Sequence, residues 1–352
     1  MADIVIVGAG PTGLTAALCL HHLGLRPRIL EERTGPSHLS RAVGLLPSSM
    51  NIFDGVGVGE RVRNAAITIE TGRFFLNGRQ IAQFDLDGDP DPNVRILSLP
   101  QDRTEAILAS ALSERGIDVE YGSTVTGVEN VLEEPNVMLA DASIAAREVL
   151  GADGARSAVR ESIGVTPQGF ELQEDWSIAD VDLEEPPGPI MEIHFKDEGR
   201  AVFMVAMEAS RLRLVSNTAD ALQTLGKAPF PIANIRRTGR FRIKIQQVDR
   251  YRVGHVSLAG DAAHTHSPAG GRGMNLGIAD AAEWAQRLVE GQLDGYSASR
   301  HDAGAATIKL SESGRTTMFG GSVRRTLALA VLSVVAKVPP LSRRFVHHII
   351  TS

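Results

Sequence analysis

One cysteine in the whole chain, Cys19, rules out an intrachain disulfide and any fold stapled by covalent cross-links. The same scarcity excludes a cysteine zinc knuckle and a cysteine-held iron–sulfur cluster, which need several thiolates. Cys19 lies in an apolar helical stretch and reads as core packing. Positive charge is in deficit: 36 Lys and Arg stand against 42 Asp and Glu, a net charge of −6, so no basic surface calls for nucleic acid. Long hydrophobic runs are missing as well. The least polar stretch, 326–338, is too short to span a bilayer and is interrupted by Lys337 and then Pro339-Pro340. A strand begins almost at the first residue and leaves no room for a signal peptide, so the expected compartment is the cytoplasm. Within 352 residues there is length for two or three domains.

Glycine is present, and it clusters. Ile4 to Val7 is a short apolar run that reads as a buried parallel strand, followed by Gly8-Ala9-Gly10-Pro11-Thr12-Gly13. Pro11 suits the first turn of a helix, Leu14 to Leu23 carries the helical apolar pattern, and Gly24 stops it. A second strand, Arg28 to Leu30, ends at Glu31. In this G-x-G-x-x-G pattern Gly8 allows the tight turn, Gly10 lets the backbone approach a pyrophosphate, and Gly13 permits close helix–strand packing. The phosphates would sit on free N–H groups at the positive end of the helix, with Glu31 placed to accept hydrogen bonds from an adenosine ribose. A glutamate here disfavours a 2′-phosphate, so NADP is not expected at this site, but the motif does not choose between NAD and FAD.

The rest of the chain reads as a helical segment over 48–63 and a hairpin over 67–84 turning near Asn77-Gly78. A loop over 85–93 and an amphipathic helix from Asp102 to Arg115, closed by Gly116, follow. Residues 166–249 are mostly strand, and the chain after Gly273 is helical with a proline break. Gly55-x-Gly57-x-Gly59 follows a helical stretch and reads as a turn.

Two later motifs narrow the cofactor. Gly151-Ala152-Asp153-Gly154-Ala155-Arg156-Ser157 follows a strand and opens a helix. Leu258-Ala259-Gly260-Asp261-Ala262-Ala263-His264 ends another strand and leads through Pro268-Ala269-Gly270-Gly271-Arg272-Gly273-Met274-Asn275 into a long helix. With Leu99-Pro100-Gln101 and Tyr251-Arg252-Val253-Gly254, these motifs resemble, in order and separation over residues 1–310, the single-component FAD-dependent aromatic hydroxylases related to p-hydroxybenzoate hydroxylase. The resemblance implies an α/β protein. It would have an FAD-binding three-layer Rossmann-like domain (1–70, 98–165 and 250–300) and an inserted α+β substrate domain with an antiparallel sheet (71–97 and 166–249). A C-terminal helical segment (301–352) would follow.

It also implies roles. Glu31 holds the adenosine ribose, with Glu32 and Arg33 beside it. Arg41 and Gln101 approach the diphosphate and ribityl regions, and Asp261 binds the ribityl chain. The Asp153-Gly154 loop with Arg160 serves FAD and NAD(P)H pyrophosphate contacts. Pro268, Gly270, Gly271, Gly273, Met274 and Asn275 lie beside the isoalloxazine ring. A physical argument supports that last placement: reduced flavin carries negative charge near N1 and the C2 carbonyl, and helix N-terminal N–H groups are pre-oriented donors for it.

No second G-x-G-x-x-G follows a strand, so no dedicated NAD(P)H domain is expected. In the resembling family NAD(P)H docks transiently, and O2 then forms a flavin C4a-hydroperoxide that hydroxylates an aromatic, phenolic or polycyclic small molecule. The cofactor carries the difficult chemistry and the protein supplies a shaped, dry pocket. The three tyrosines are Tyr121, Tyr251 and Tyr296, so the family's tyrosine relay cannot be carried over to 166–249. His194 is the only histidine in that segment and is the candidate substrate base. Arg211 and Arg213 share a strand face; Arg213 is a candidate for neutralising a flavin or nicotinamide group, against the commoner reading of a solvated arginine. Pro268 completes the catalytic candidates. His264 and His266 lack the third ligand of a metal site.

Longer family members append a thioredoxin-like domain, and none is expected within these 352 residues. The chain's apolar end with basic flanks leads us to expect packing within the protein or on a sister subunit (monomer or homodimer) in preference to membrane contact. The rival readings are a flavin-dependent reductase or halogenase on the same scaffold, a lipid-quinone hydroxylase at a membrane surface, and a non-catalytic FAD-binding partner. The halogenases' Trp-x-Trp-x-Ile-Pro motif is absent, the only tryptophans being Trp176 and Trp284.

Overall fold

The computed structural model describes residues 2–268, 271–319 and 322–351. Ile4, Val5, Ile6 and Val7 are all buried, which requires neighbours on both edges of the strand and cover on both faces. Ala2–Val7 accordingly runs parallel to Ser143–Gly151 on one side and to Arg28–Glu31 on the other. Val256–Leu258 extends the sheet beyond Ser143–Gly151 and Val119–Tyr121 extends it beyond Arg28–Glu31, both parallel. An antiparallel edge, Arg252–Val253, and a meander of Val125–Glu129 and Asn136–Leu139 complete it.

The helices are α1 (Pro11–His22), α2 (Pro47–Gly55), α3 (Gly59–Ala65), α4 (Gln101–Ser113), α5 (Ala158–Ser162), α6 (Ala221–Leu225), α7 (Gly273–Glu290), α8 (Tyr296–Phe319), α9 (Ser322–Lys337) and α10 (Pro339–Thr351). The first sheet, α1, α4 and α7 share one apolar core, in which Leu14, Leu18, Leu108, Ile278 and Trp284 are almost fully buried. The expected single helix over 48–63 is two, α2 and α3, parted at Val56–Val58 where Gly57 takes a φ of +75°. Gly59 is locked there too, since a Cβ on it would lie 1.9 Å from the Asp54 carboxylate, so the three-glycine stretch is a turn.

The second sheet has seven strands in the order Ile232–Phe241, Trp176–Leu183, Arg211–Ser216, Ala201–Glu208, Ile190–Phe195, Thr71–Leu76, Arg79–Asp85. It is antiparallel except that Ile190–Phe195 runs parallel to Thr71–Leu76. The hairpin turns on Asn77 and Gly78, both with positive φ (48° and 82°), the two-residue turn that matches strand twist. Gln168–Glu171 and Lys244–Gln247, although in the strand-rich 166–249 segment, pair with each other and with His264–Thr265 instead.

Register divides the second sheet into two faces. Asp180, Arg213, Val205 and Met191 are direct neighbours across four strands and share one face. Leu214, Met204, Glu192 and Arg73 form the adjacent row on the opposite face, together with Val202, His194 and Phe75. Helices α9 and α10 cover the Arg79–Asp85 end of the sheet, where Phe345 meets Phe84 at 5.0 Å between ring centroids.

Candidate cofactor and active site

The first glycine loop assigns a separate task to each glycine. Gly8 has φ +103°, and a Cβ there would stand 2.3 Å from the Ala152 carbonyl oxygen. Gly13 is equally constrained, its Cβ position lying 1.9 Å from the Gly8 oxygen. Gly10 differs, with no protein atom within 4 Å of its Cβ position. Pro11 opens α1, and no side chain caps the helix. One glycine therefore faces open space beside uncapped amides, the geometry that admits a phosphate. Thr12 packs into the site from this helix: Cβ atoms on Gly260 or Gly277 would come within 2.6 and 2.4 Å of its hydroxyl. The start of α1, the Gly260 turn and α7 thus converge.

Glu31 is buried at the end of its strand. Oε2 accepts from the Ala9 amide (2.7 Å), and Oε1 accepts from the Arg33 amide (3.0 Å) and Nε (2.9 Å). Burial pushes the carboxyl upward, but these hydrogen bonds and the guanidinium outweigh it and hold the group below its ordinary range. Arg33 also donates to Glu105 (3.0 Å), whose other oxygen accepts from Gln101 Nε2 (2.9 Å). Gln101 Oε1 accepts from the Ala42 amide (3.1 Å), and the Gln101 amide donates to the Ser40 hydroxyl (3.1 Å). Glu32 and Arg41 are exposed beside this chain of contacts.

In the second motif the polar side chains turn inward. Asp153 accepts from the Val159 amide (3.1 Å) and from the Ser157 hydroxyl, and burial pushes its carboxyl above the usual range. Arg160, expected at a pyrophosphate, donates to the carbonyls of Ala262 (3.0 Å) and Ala155 (3.1 Å) and is buried. It clamps the second motif to the third. Gly154, with φ +81° and open space at its Cβ position, leaves only backbone facing outward.

The third motif turns on Gly260, whose φ is +61°. Its amide donates to Asp280 (2.9 Å), which also takes His264 Nε2 (2.6 Å) and Arg300 Nε (2.6 Å). Burial opposes ionisation of Asp280, yet the His264 ring, Arg300 and the Gly260 amide keep its carboxyl below the ordinary range. Asp261 itself is exposed, and its carboxylate accepts no hydrogen bond among the described residues. Pro268 is exposed and its carbonyl accepts from Gly271 (3.0 Å), while Met274 packs on the core. Gly270 lies outside the described residues.

The Asn275 side chain is engaged within the protein. Its Oδ1 accepts from the Leu46 amide (2.9 Å) and the Ser49 hydroxyl (2.7 Å), and its Nδ2 donates to the carbonyls of Gly44 and Gly271 (3.0 Å each). All the side chain's hydrogen-bonding capacity holds the Gly271 turn against residues 44–49. Gly273 opens α7, which no side chain caps.

The solvated reading of Arg213 is corrected. It is only 1% exposed, pairs with Asp180 through two contacts of 2.7 Å, and donates to the carbonyls of Arg41 (2.6 Å) and Ser40 (3.0 Å). It joins the second sheet to the segment carrying Arg41. His194 is not brought to this place. It lies on the opposite face of the sheet, bonded to Glu192 (2.8 Å) and stacked on Phe75 at 4.4 Å.

Sequence reasoning missed Asp180, Ser40, Glu105, Asp280 and Arg300. Asp280 alone left a signal: it stands four residues from both Leu276 and Trp284, on the buried face of α7, where a carboxylate needs partners.

Open space at Gly10, two uncapped helix starts and an unengaged Asp261 together fit a dinucleotide that carries hydroxyl groups as well as phosphates. The family model described as FAD binding domain matches residues 1–221 and 213–311. A rifampicin monooxygenase of Streptomyces venezuelae is 33% identical over 328 residues, covering 86% of this chain and 68% of the relative. The 6-methylpretetramide 4-monooxygenase of Streptomyces rimosus is 30% identical, covering 99% and 68%. Among solved structures, the p-nitrophenol 4-monooxygenase of Pseudomonas putida superposes with a TM-score of 0.88 at 23% identity, over 98% of this chain and 96% of that one, a likeness of fold. An anhydrotetracycline hydroxylase of Streptomyces rimosus gives 0.80 at 27% identity, over 99% and 75%. With a cradle that fits FAD and a family model spanning most of its length, the chain belongs to the FAD-binding-domain family and is an FAD-dependent monooxygenase.

Proposed function

We propose that this enzyme hydroxylates a phenolic, fused-ring aromatic compound, with NAD(P)H as the transient electron donor and O2 as the oxygen source. One observation carries the substrate class. Met191, Ile193, Phe203 and Val215 are half-buried apolar residues on the same sheet face as Arg213, the face tied to the Ser40–Arg41 segment. A flat apolar wall of this kind suits a ring system more than a charged chain. The names of the rifampicin, 6-methylpretetramide and anhydrotetracycline relatives support the larger ring systems.

FAD, when bound, supplies electron transfer and oxygen activation. The chain's own residues bind, orient and exclude water. In this reading Gly10 and the first amides of α1 take the diphosphate, and Glu31 turns from Arg33 to the ribose hydroxyls. Asp261 accepts from the ribityl hydroxyls, and the start of α7 donates to the carbonyl end of the ring system. Arg213 acts through the Ser40 and Arg41 carbonyls, fixing the backbone from which Arg41 projects. The first sheet with its helices is the cofactor part and the second sheet the substrate part. A cytoplasmic setting belongs to the same proposal; among the described residues no single helix is long and apolar enough to cross a membrane.

The test uses holoenzyme, NADPH or NADH, isotopically labelled O2 and a panel running from single-ring to fused-ring phenols. Fused-ring phenols should stimulate NAD(P)H oxidation and emerge with one labelled oxygen. If no aromatic in the panel alters flavin reduction, the proposal fails.

A further inference from the structure

The last forty residues differ from the rest of the chain in charge. From Ser313 to Ser352 there are six basic residues and no acidic one, which leaves −12 on residues 1–312 of a chain whose total is −6. The same segment carries an apolar face that the fold does not cover. On α9, Leu329 and Leu332 turn inward and join the core under the second sheet. Leu327, Val331 and Val334, spaced three and four apart and therefore on one helix face, are 63%, 61% and 60% exposed. Val338 and Leu341 continue the exposed apolar surface across the break into α10. Arg324, Lys337, Arg343 and Arg344 are exposed around it.

We propose that the α9–α10 face docks on an anionic lipid surface. Two independent features select this occupant. An interfacial helix lays an apolar stripe into the acyl boundary while flanking Lys and Arg meet lipid phosphates, and the stripe and its flanks have that arrangement. A second copy of the chain suits the face less well, because a two-fold pairing of the stripe would set two all-basic segments against each other. The packing explains why the face is available. α9 is anchored from behind by Leu329 and Leu332 and by Arg325, which donates to the Lys196 carbonyl (3.2 Å). At its far end α10 reaches the flavin loop, where Arg272 donates to the Ile349 carbonyl (3.0 Å). The surface is therefore an outward face of an ordered element, set beside the start of α7. The proposal departs from the expectation that these helices pack within the protein or on a sister subunit in preference to membrane contact: one side packs, and the other is open to a lipid surface.

The holoenzyme should co-sediment with vesicles of phosphatidylcholine and phosphatidylglycerol at low salt, and bind pure phosphatidylcholine vesicles much more weakly. High salt should release it. Leu327→Ser/Val331→Ser/Val334→Ser should lower vesicle partitioning by at least about tenfold. Arg343→Gln/Arg344→Gln should lower it by about fivefold per charge removed. Both variants should keep FAD content and solution NAD(P)H oxidation, since none of these side chains belongs to the cofactor cradle. Absence of binding to anionic vesicles, or equal binding to neutral ones, overturns the proposal. So does sedimentation equilibrium showing a dimer that the serine variant converts to monomer while vesicles bind neither form. Because binding is read without substrate, its failure is separable from failure of the hydroxylation reading.

Discussion

Three glycines in six residues look interchangeable until their surroundings are compared. A methyl group at Gly8 meets backbone in a left-handed conformation, whereas one at Gly10 meets nothing. Gly8→Ala should therefore destabilise the protein itself, by about 2 kcal/mol or more, read by urea unfolding of the cofactor-free form. Gly10→Ala should leave that unfolding curve in place and weaken FAD binding by about tenfold or more, read by fluorescence titration. Equal effects of the two substitutions would contradict the division of labour. His266 makes a pH prediction. Its Nδ1 donates to the Ser267 carbonyl (3.0 Å), its Nε2 is buried without a partner among the described residues, and burial depresses its basicity. A depressed base binds its proton more weakly in the folded state than in the unfolded one. Stability is therefore full above the ordinary histidine range, near 6.5, and falls as pH drops from there to the lowered folded value. His266→Phe should flatten this part of the stability–pH curve, with urea midpoints measured across it.

At the scale of elements, the motif side chains act mostly on each other. Arg160 binds the third motif to the second, Asp280 holds the Gly260 turn from α7, and Asn275 ties the Gly271 turn to the Gly44–Leu46 segment. The Arg213–Asp180 pair does the same between sheet and loop, and it is buried. Asp180→Ala leaves a guanidinium without its counter-charge and should cost about 3–5 kcal/mol of unfolding free energy. Asp180→Leu combined with Arg213→Met removes both charges and should cost less than Asp180→Ala alone, with a clear coupling energy in the double-mutant cycle. Additive losses would mean that the two side chains do not act as a pair.

Across the whole molecule, a continuous set of hydrogen bonds runs from Ala9 through Glu31, Arg33, Glu105, Gln101 and the Ser40–Ala42 segment to Arg213 and Asp180. It links the cofactor cradle to the second sheet. Arg213→Met should consequently weaken FAD binding and raise the aromatic substrate's KM together. His194→Phe, on the other face of the same sheet, should change kcat/KM by no more than about twofold, since distant sites without shared partners act independently. Steady-state kinetics and cofactor titration on the two variants distinguish the faces. A large loss of kcat/KM in the His194 variant would return that residue to the active site.

Much of this was readable from the chain in order. Glycine positions, an apolar run before them and an acidic residue after the second strand specify the βαβ unit, because local sterics and helix termini act over a few residues. Asn77-Gly78 specified its hairpin for the same reason. The destinations of charged and amide side chains were not readable. Arg160 and Asn275 carry the right chemistry for a cofactor contact, yet their partners are carbonyls and amides brought near by chain crossings of up to 231 residues. Arg213 and His194 differ in strand face, which depends on the register of four strands and on which face meets the first sheet. Sequence by itself determined a glycine-lined dinucleotide cradle, since that follows from local backbone conformation, and only the order and separation of its motifs, through their family resemblance, implied that the dinucleotide is FAD. Tertiary structure alone decided which polar groups remain free for a ligand, because hydrogen-bonding capacity is spent on whatever neighbour the fold supplies.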